Sequence, residues 1–146
     1  MSKEVVHILR KEARSFPGGL SGIALFAFRV TVGTMCLLHS IPKMKTPTCW
    51  MSKEGLKDDP AAVQATAAAA ELTGGLALIL GVLTPFAAGG VATMMVSSLL
   101  KVHVPNRNPI VAPPGKPSAE TSINYLFASL LLLALGPGKY SLDAWL

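Results

Sequence analysis

The sequence predicts an all-α protein: an integral membrane four-helix bundle, antiparallel and up-and-down, with a short N-terminal interfacial helix. Three observations lead to this fold class. Hydrophobic residues make up 51% of the 146 residues and charged residues only 14%, with a mean hydropathy of +0.48. The apolar residues are gathered into four long runs separated by turn and loop residues. The runs are rich in Ala and Leu and lack the alternation that a membrane β-barrel requires.

The first membrane helix is expected over about residues 20–41. Only Arg29 and His39 interrupt its apolar character, and Pro42 is expected to end it. Residues 1–19 form a separate basic segment in which apolar side chains are mixed with charges, which is typical of an interfacial helix. We expect no cleavage as a signal peptide, because the apolar run is too long and has no small-x-small site at its end.

Residues 61–83 and 86–104 predict the second and third membrane helices. Pro60 suits the start of a helix, and Glu71 is the one charged residue in the second run. The Thr84-Pro85 connection is so short that these two helices should be antiparallel neighbours.

The fourth membrane helix is expected over about residues 119–136, and the Gly136-Pro137-Gly138 sequence should stop it. Residues 105–118 are rich in proline and asparagine with basic residues, so they predict a surface loop. We therefore interpret residues 20–146 as a single transmembrane domain. A soluble helical bundle remains a weaker alternative, because these runs are longer than an ordinary soluble core needs.

Arg29 and Glu71 lie near the middle of the first and second predicted helices. Because each helical residue rises 1.5 Å, an up-and-down path brings the two side chains to a similar depth. An unpaired charge in the bilayer costs about 3 kcal/mol, so we expect Arg29 and Glu71 to form a structural ion pair. A role of the same residues in proton transfer or redox chemistry stays open as the alternative.

Further ionisable residues are expected at the end of the bundle that holds the loop after the first helix. They lie where the first and third helices end and the fourth begins: His39, Lys101, His103 and Glu120. Histidine titrates near neutral pH and can donate a hydrogen bond to a quinone carbonyl. The candidate quinone or proton site is therefore the set Arg29, His39, Glu71, Lys101, His103 and Glu120. The alternative is that the histidines and Lys101 only extend to solvent at the membrane surface.

No metal site and no intrinsic cofactor are expected. Cys36, His39 and His103 lack ligand spacing on one element, and Cys36 and Cys49 form no CxxC pair. Motifs for flavin, haem or an iron-sulfur cluster are missing, so whether the chain is itself an enzyme stays open. The net charge of +5 comes from flanks and loops, which favours anionic lipid headgroups as partners over nucleic acid.

An ordered set of residues in this chain resembles the DoxX family of small four-helix membrane proteins. The matching residues extend over most of the chain: Phe28-Arg29, Gly33, His39, Lys43, residues 70–81, Leu83-Thr84, Val102-His103, Glu120 and residues 136–143. The chain departs from the family pattern at Ser40, where glycine is frequent, and at Pro85, where arginine is common.

The resemblance implies a quinone-linked complex, because the family includes a membrane subunit of thiosulfate:quinone oxidoreductase. On this basis the chain is expected to be a multi-pass subunit in the bacterial inner membrane, with quinone as a possible ligand and with other subunits as partners. The N-terminus is expected in the cytoplasm, since its basic residues favour that side. The alternative is a non-catalytic accessory or scaffold subunit of a respiratory or photosynthetic complex, and a small transporter or assembly chaperone is less favoured.

Overall fold

The computed structural model describes residues 16–53 and 59–145, and these residues contain helices and turns but no β-strand. The helices are α1 (Gly19–Lys45), α2 (Trp50–Lys53), α3 (Ala61–Leu80), α4 (Thr84–Ser98) and α5 (Glu120–Leu135). A π-helical turn (Leu99–His103) extends α4, and a 3₁₀ turn (Leu142–Ala144) lies near the C-terminus. The interfacial helix predicted for residues 1–19 falls mainly outside the described residues.

Within residues 16–53 and 59–145, length and hydropathy make three helices suitable for crossing a bilayer. They are α1, α3 and the continuous helix Thr84–His103, while α5 is apolar but shorter. The burial pattern agrees, because Arg29, Gln64 and Glu71 are buried whereas Leu20 and Phe86 are about four-fifths exposed. Water would penalise such a surface, but lipid would not.

The first helix is longer than predicted, since α1 passes through Pro42 and ends at Lys45. Its 27 residues correspond to about 40 Å, more than the hydrocarbon core of a bilayer. Pro42 has no N–H to donate within the helix, but the helix continues past it, and Lys43 and Lys45 in the last turn interact favourably with the helix dipole. The predicted end at residue 41 was therefore wrong, and Lys43 belongs to the helix.

The turn between α3 and α4 also differs from the prediction. α3 ends at Leu80, three residues earlier than expected, because Gly81 adopts a left-handed conformation with φ +69°. α4 begins at Thr84 with Pro85 in its first turn. The carboxylate of Asp143 accepts hydrogen bonds from the backbone N–H groups of Leu83 (2.7 Å) and Thr84 (2.8 Å), so the C-terminal segment caps this helix.

α1 and α3 pack together at two glycines. A Cβ atom on Gly33 would lie 2.7 Å from the carbonyl oxygen of Gly75, and one on Gly75 would lie 2.9 Å from that of Gly33. No larger residue fits between these backbones, so the glycines set both the distance and the register of the helices. Arg29 lies beside Gly81 and Lys43 beside Glu71, which means that α1 and α3 run in opposite directions.

The apolar core is small and lies between the helices. Its buried members are Leu25, Val32, Cys36, Leu78, Ala88, Val91 and Leu132. α5 packs along α4, whereas it makes few contacts with α1. The space between α1 and α5 is consequently an open groove on the side of the molecule.

Candidate functional site

A cavity of about 510 Å³ lies at the end of the molecule where α1 ends and α3 begins. Every helix from α1 to α5 contributes to its wall. The polar and aromatic residues on that wall include His39, Lys43, Trp50, Gln64, Glu71, Lys101, His103, Ser122 and Tyr125. The apolar part of the wall includes Met94 and Met95. Such a mixture of apolar surface and a few polar groups is typical of a ligand site.

An ion pair between Lys43 and Glu71 forms one wall of this cavity. Lys43 Nζ lies 2.7 Å from Glu71 Oε2, and the two side chains are only 17% and 5% exposed. The ammonium group also lies 4.8 Å from the ring centroid of Trp50, within range of a cation–π interaction. Lys43 thus neutralises the Glu71 carboxylate and is itself held by the Trp50 ring. Both contacts lower the free-energy cost of burying the two charges.

The predicted ion pair between Arg29 and Glu71 was therefore wrong. The Arg29 guanidinium adjoins Gly81, which follows Glu71 by ten residues, so the two charged groups are separated by roughly 15 Å along α3. The error came from the end of α1. With a helix that stopped before Lys43, Arg29 was the only cation available at the depth of Glu71.

Arg29 instead holds the C-terminal segment at the opposite end of the molecule. Its Nη1 donates to the carbonyl oxygen of Pro137, and its Nη2 donates to that of Tyr140 at 2.8 Å. The guanidinium carbon lies 5.6 Å from the ring centroid of Phe26. Arg29 is only 1% exposed, and Asp143 contributes a favourable charge interaction. These contacts make Arg29 a structural residue that lies outside the cavity.

Gln64 connects three parts of the chain on the wall of the cavity. Its side-chain oxygen accepts from the backbone N–H of Met51 at 3.1 Å, and its side-chain nitrogen donates to the carbonyl oxygen of Asp59 at 2.7 Å. Trp50 Nε1 donates to the backbone oxygen of Gln64 at 3.0 Å. These bonds hold the short α2 against α3, and they place the Trp50 ring over Lys43.

His103 lies in the π-helical turn and takes part in a chain of hydrogen bonds. Asn108 Nδ2 is 3.2 Å from His103 Nδ1, and Ser122 Oγ is 3.2 Å from His103 Nε2. The Asn108 amide can donate to Nδ1 of the His103 tautomer that carries its proton on Nε2, and this proton then points towards Ser122. Ser98 Oγ lies 3.1 Å from Ser122 Oγ and extends this chain to α4.

His39 lies on another wall of the cavity. Its ring meets that of Tyr125 edge to face with 5.9 Å between the centroids. Within the described part of the chain its imidazole makes no hydrogen bond. The Lys101 side chain is 58% exposed, and its Nζ lies 2.7 Å from Asp59 Oδ2.

The structure thus brings four of the six candidate residues to one cavity: His39, Glu71, Lys101 and His103. Glu120 lines the neighbouring groove between α1 and α5, and Arg29 lies at the other end of the molecule.

Sequence reasoning missed Lys43, Trp50 and Tyr125 as parts of the site. The spacing of seven residues puts Gln64 and Glu71 on one helix face, whereas Trp50 reaches the cavity only through the tertiary fold.

The chemistry of this cavity is that of proton donors and acceptors. The described residues contain no group of three or more His, Cys, Asp or Glu side chains that could hold a metal ion. Cys36 is a buried free thiol on the cavity wall, and Cys49 is an exposed one. Around the cavity stand the Lys43–Glu71 pair, two imidazoles and the phenol of Tyr125, which can together bind carbonyl oxygens and exchange protons.

Comparison with known proteins identifies the family of this chain. Neither curated proteins nor solved structures give a match. The family model of DoxX matches residues 24–104, which is more than half of the 146 residues and includes most of α1, all of α3 and α4, and the cavity residues on them. The resemblance read from the sequence is thereby confirmed, and this integral membrane chain belongs to the DoxX family.

Proposed function

We propose that the chain is a membrane subunit of a quinone-linked oxidoreductase or electron-transfer complex of the bacterial inner membrane, and that its cavity receives the quinone headgroup. The observation that supports this most is the cavity itself, in which the Lys43–Glu71 pair and two histidines surround a volume of about 510 Å³. Membership of the DoxX family agrees with an oxidoreductase-related role.

The residues of the cavity fit a quinone headgroup. The volume is within the usual range of roughly 300 to 1,000 Å³ for small-molecule sites. Trp50 and Tyr125 offer aromatic surface to a flat ring. His39 can donate to one carbonyl oxygen, and the Lys43 ammonium keeps two N–H groups beyond the one given to Glu71.

A bound quinone supplies reversible uptake of two electrons and two protons. The chain's own residues position the ring and handle the protons. His39 is exposed, so in the proposed membrane arrangement it can exchange protons with water, and Lys43 holds a proton beside the buried carboxylate of Glu71. Because the sequence has no motif for flavin, haem or an iron-sulfur cluster, the electron donor in this proposal belongs to a partner subunit.

In the proposed membrane arrangement, four helices cross the bilayer as an antiparallel up-and-down bundle. They are α1, α3, α4 with its π-helical turn, and α5. The length and hydropathy of the first three support this arrangement, and the exposed apolar faces of all four suit lipid or other subunits. The cavity then lies near one membrane face, within reach of protons from water.

The experiment is a measurement on the complete complex, isolated with its native partners and placed in lipid nanodiscs. Quinone binding and quinone reduction are compared for the wild type, Glu71→Gln and the matched control Lys139→Met, which removes an exposed charge at the opposite end of the molecule. The loss of a proton-handling carboxylate should lower the reduction rate by about 100-fold. A wild-type complex that binds no quinone overturns the proposal.

An accessory or scaffold role is the second candidate, and one observation favours it. The Lys43–Glu71 pair joins α1 to α3, as a purely structural pair would. Under this role, replacement of both partners by Met and Leu of similar volume should leave assembly and quinone reduction intact. Under the proposed role, the same double variant should assemble but lose quinone reduction.

A further inference from the structure

We infer that the cavity takes a quinone with a long isoprenoid tail, and that the tail leaves the cavity sideways through the groove between α1 and α5. We call this groove the lateral groove. The inference rests on the proposed headgroup site and adds the class of substrate and the path by which it reaches the site.

The lateral groove is the gap left where α1 and α5 make few contacts. Its wall on α1 is mainly apolar and consists of Phe28, Thr31, Val32 and Met35, and Ala128 of α5 is also apolar. Its other end is polar, with Glu120 and Asn124 in the first turns of α5. Its polarity thus changes along α5 from the membrane surface towards the bilayer interior.

The lateral groove adjoins the cavity, because Thr121 and Tyr125 line both. On α1 the boundary falls between Met35, which lines the lateral groove, and Cys36, which lines the cavity. The Tyr125 ring at this junction contacts His39, so a molecule passing between the two spaces would touch the His39–Tyr125 pair.

We infer an isoprenoid tail as the occupant of the lateral groove from the solvent in which such a tail is stable. An isoprenoid tail is stable in hydrocarbon and unstable in water, so a headgroup site for such a molecule must open to the bilayer. The lateral groove provides this opening at the depth of the mid-α1 residues. Because lipid is as apolar as the groove, the groove adds little affinity; its effect is to let the headgroup enter while the tail stays in lipid.

The test uses tail length as the probe. Binding of one quinone headgroup is measured in nanodiscs with a long isoprenoid tail and with only a methyl group in its place, for the full complex. Met35→Trp narrows the lateral groove, and Met44→Trp is the matched control, since Met35 and Met44 are 47% and 38% exposed on the same helix and Met44 lines neither space.

We expect Met35→Trp to weaken binding of the long-tailed quinone by about tenfold or more and to leave the tailless quinone unchanged, while Met44→Trp alters neither. Unchanged long-tailed binding in Met35→Trp overturns the lateral path and leaves the proposed function standing. Equal weakening of both quinones also overturns it. A wild-type complex that binds neither quinone overturns the proposed function together with this inference.

A second measurement needs no variant. A quinone that carries a photoreactive group in its tail is crosslinked to the wild-type complex, and the labelled residues are identified by mass spectrometry. Labels within residues 28–35 or 120–128 support the lateral groove. Labels confined to other helices overturn it. The lateral groove is also overturned if a phospholipid with the same photoreactive group gives the same labels and added quinone does not reduce them.

Discussion

Lys43 Nζ lies 2.7 Å from Glu71 Oε2 and joins the last turn of α1 to the middle of α3. The pair lies beneath the ring of Trp50 on the wall of the cavity. Under the proposed function, both the packing of α1 against α3 and the handling of protons in the cavity depend on these two side chains.

The first prediction concerns the energy of this pair. Lys43→Met should lower the free energy of unfolding by about 3 kcal/mol, because it leaves the Glu71 carboxylate buried without a partner. Lys43→Met combined with Glu71→Leu should lose less than Lys43→Met alone. The measurement is reversible unfolding in mixed detergent.

The exposed pair of Lys101 with Asp59 is the control for that experiment. The Lys101 side chain is 58% exposed, so Lys101→Met should cost at most about 1 kcal/mol. Equal losses of unfolding free energy for Lys43→Met and Lys101→Met would contradict the expectation that burial makes the Lys43–Glu71 pair the more stabilising one.

The second prediction concerns Arg29 and the C-terminal segment. Arg29→Lys should release residues 137–145, because a single ammonium group cannot reproduce the forked contact with the carbonyls of Pro137 and Tyr140. Hydrogen exchange in this segment should rise by about tenfold or more, a difference of about 1.4 kcal/mol. Lys139→Met, in the same segment, should leave the exchange rates as they are. Quinone binding at the other end should not change, and a loss of it would contradict the structural role of Arg29.

The third prediction concerns the contact of α1 with α3. Gly33→Ala should destabilise the protein by about 1 to 3 kcal/mol, because the new methyl group meets a backbone oxygen at 2.7 Å and the helices must move apart. Gly89→Ala is the control, since a Cβ there meets no atom within 4 Å. Thermal unfolding of both variants in detergent measures the difference. A Gly33→Ala protein as stable as Gly89→Ala would show that the contact does not set the helix distance.

The fourth prediction concerns Asp143 as a cap for α4. Asp143→Ala should cost about 1 kcal/mol, because two backbone N–H groups at the start of the helix lose their acceptor. Amide exchange at Leu83 and Thr84 should become faster in that variant. Asp143→Asn retains one side-chain oxygen and should fall between the wild type and Asp143→Ala. Protection that survives in Asp143→Ala would mean that another group caps the helix.

The amino-acid sequence by itself determined the membrane location, the approximate apolar segments and the family. These properties depend on hydropathy and turn residues, which act over short stretches of chain. The same local information placed His39, Glu71, Lys101 and His103 among the candidate residues, since an ionisable side chain in an apolar run is conspicuous.

The tertiary structure decided which charges meet. The partners of Arg29 and Glu71 depend on the register of α1 against α3, and that register depends on the contact of Gly33 with Gly75 and on a helix that continues past Pro42. The position of Trp50 over Lys43 depends likewise on hydrogen bonds between Gln64 and distant parts of the chain. Such packing between segments far apart in sequence leaves no periodic signal in either one, so only the folded molecule reveals it.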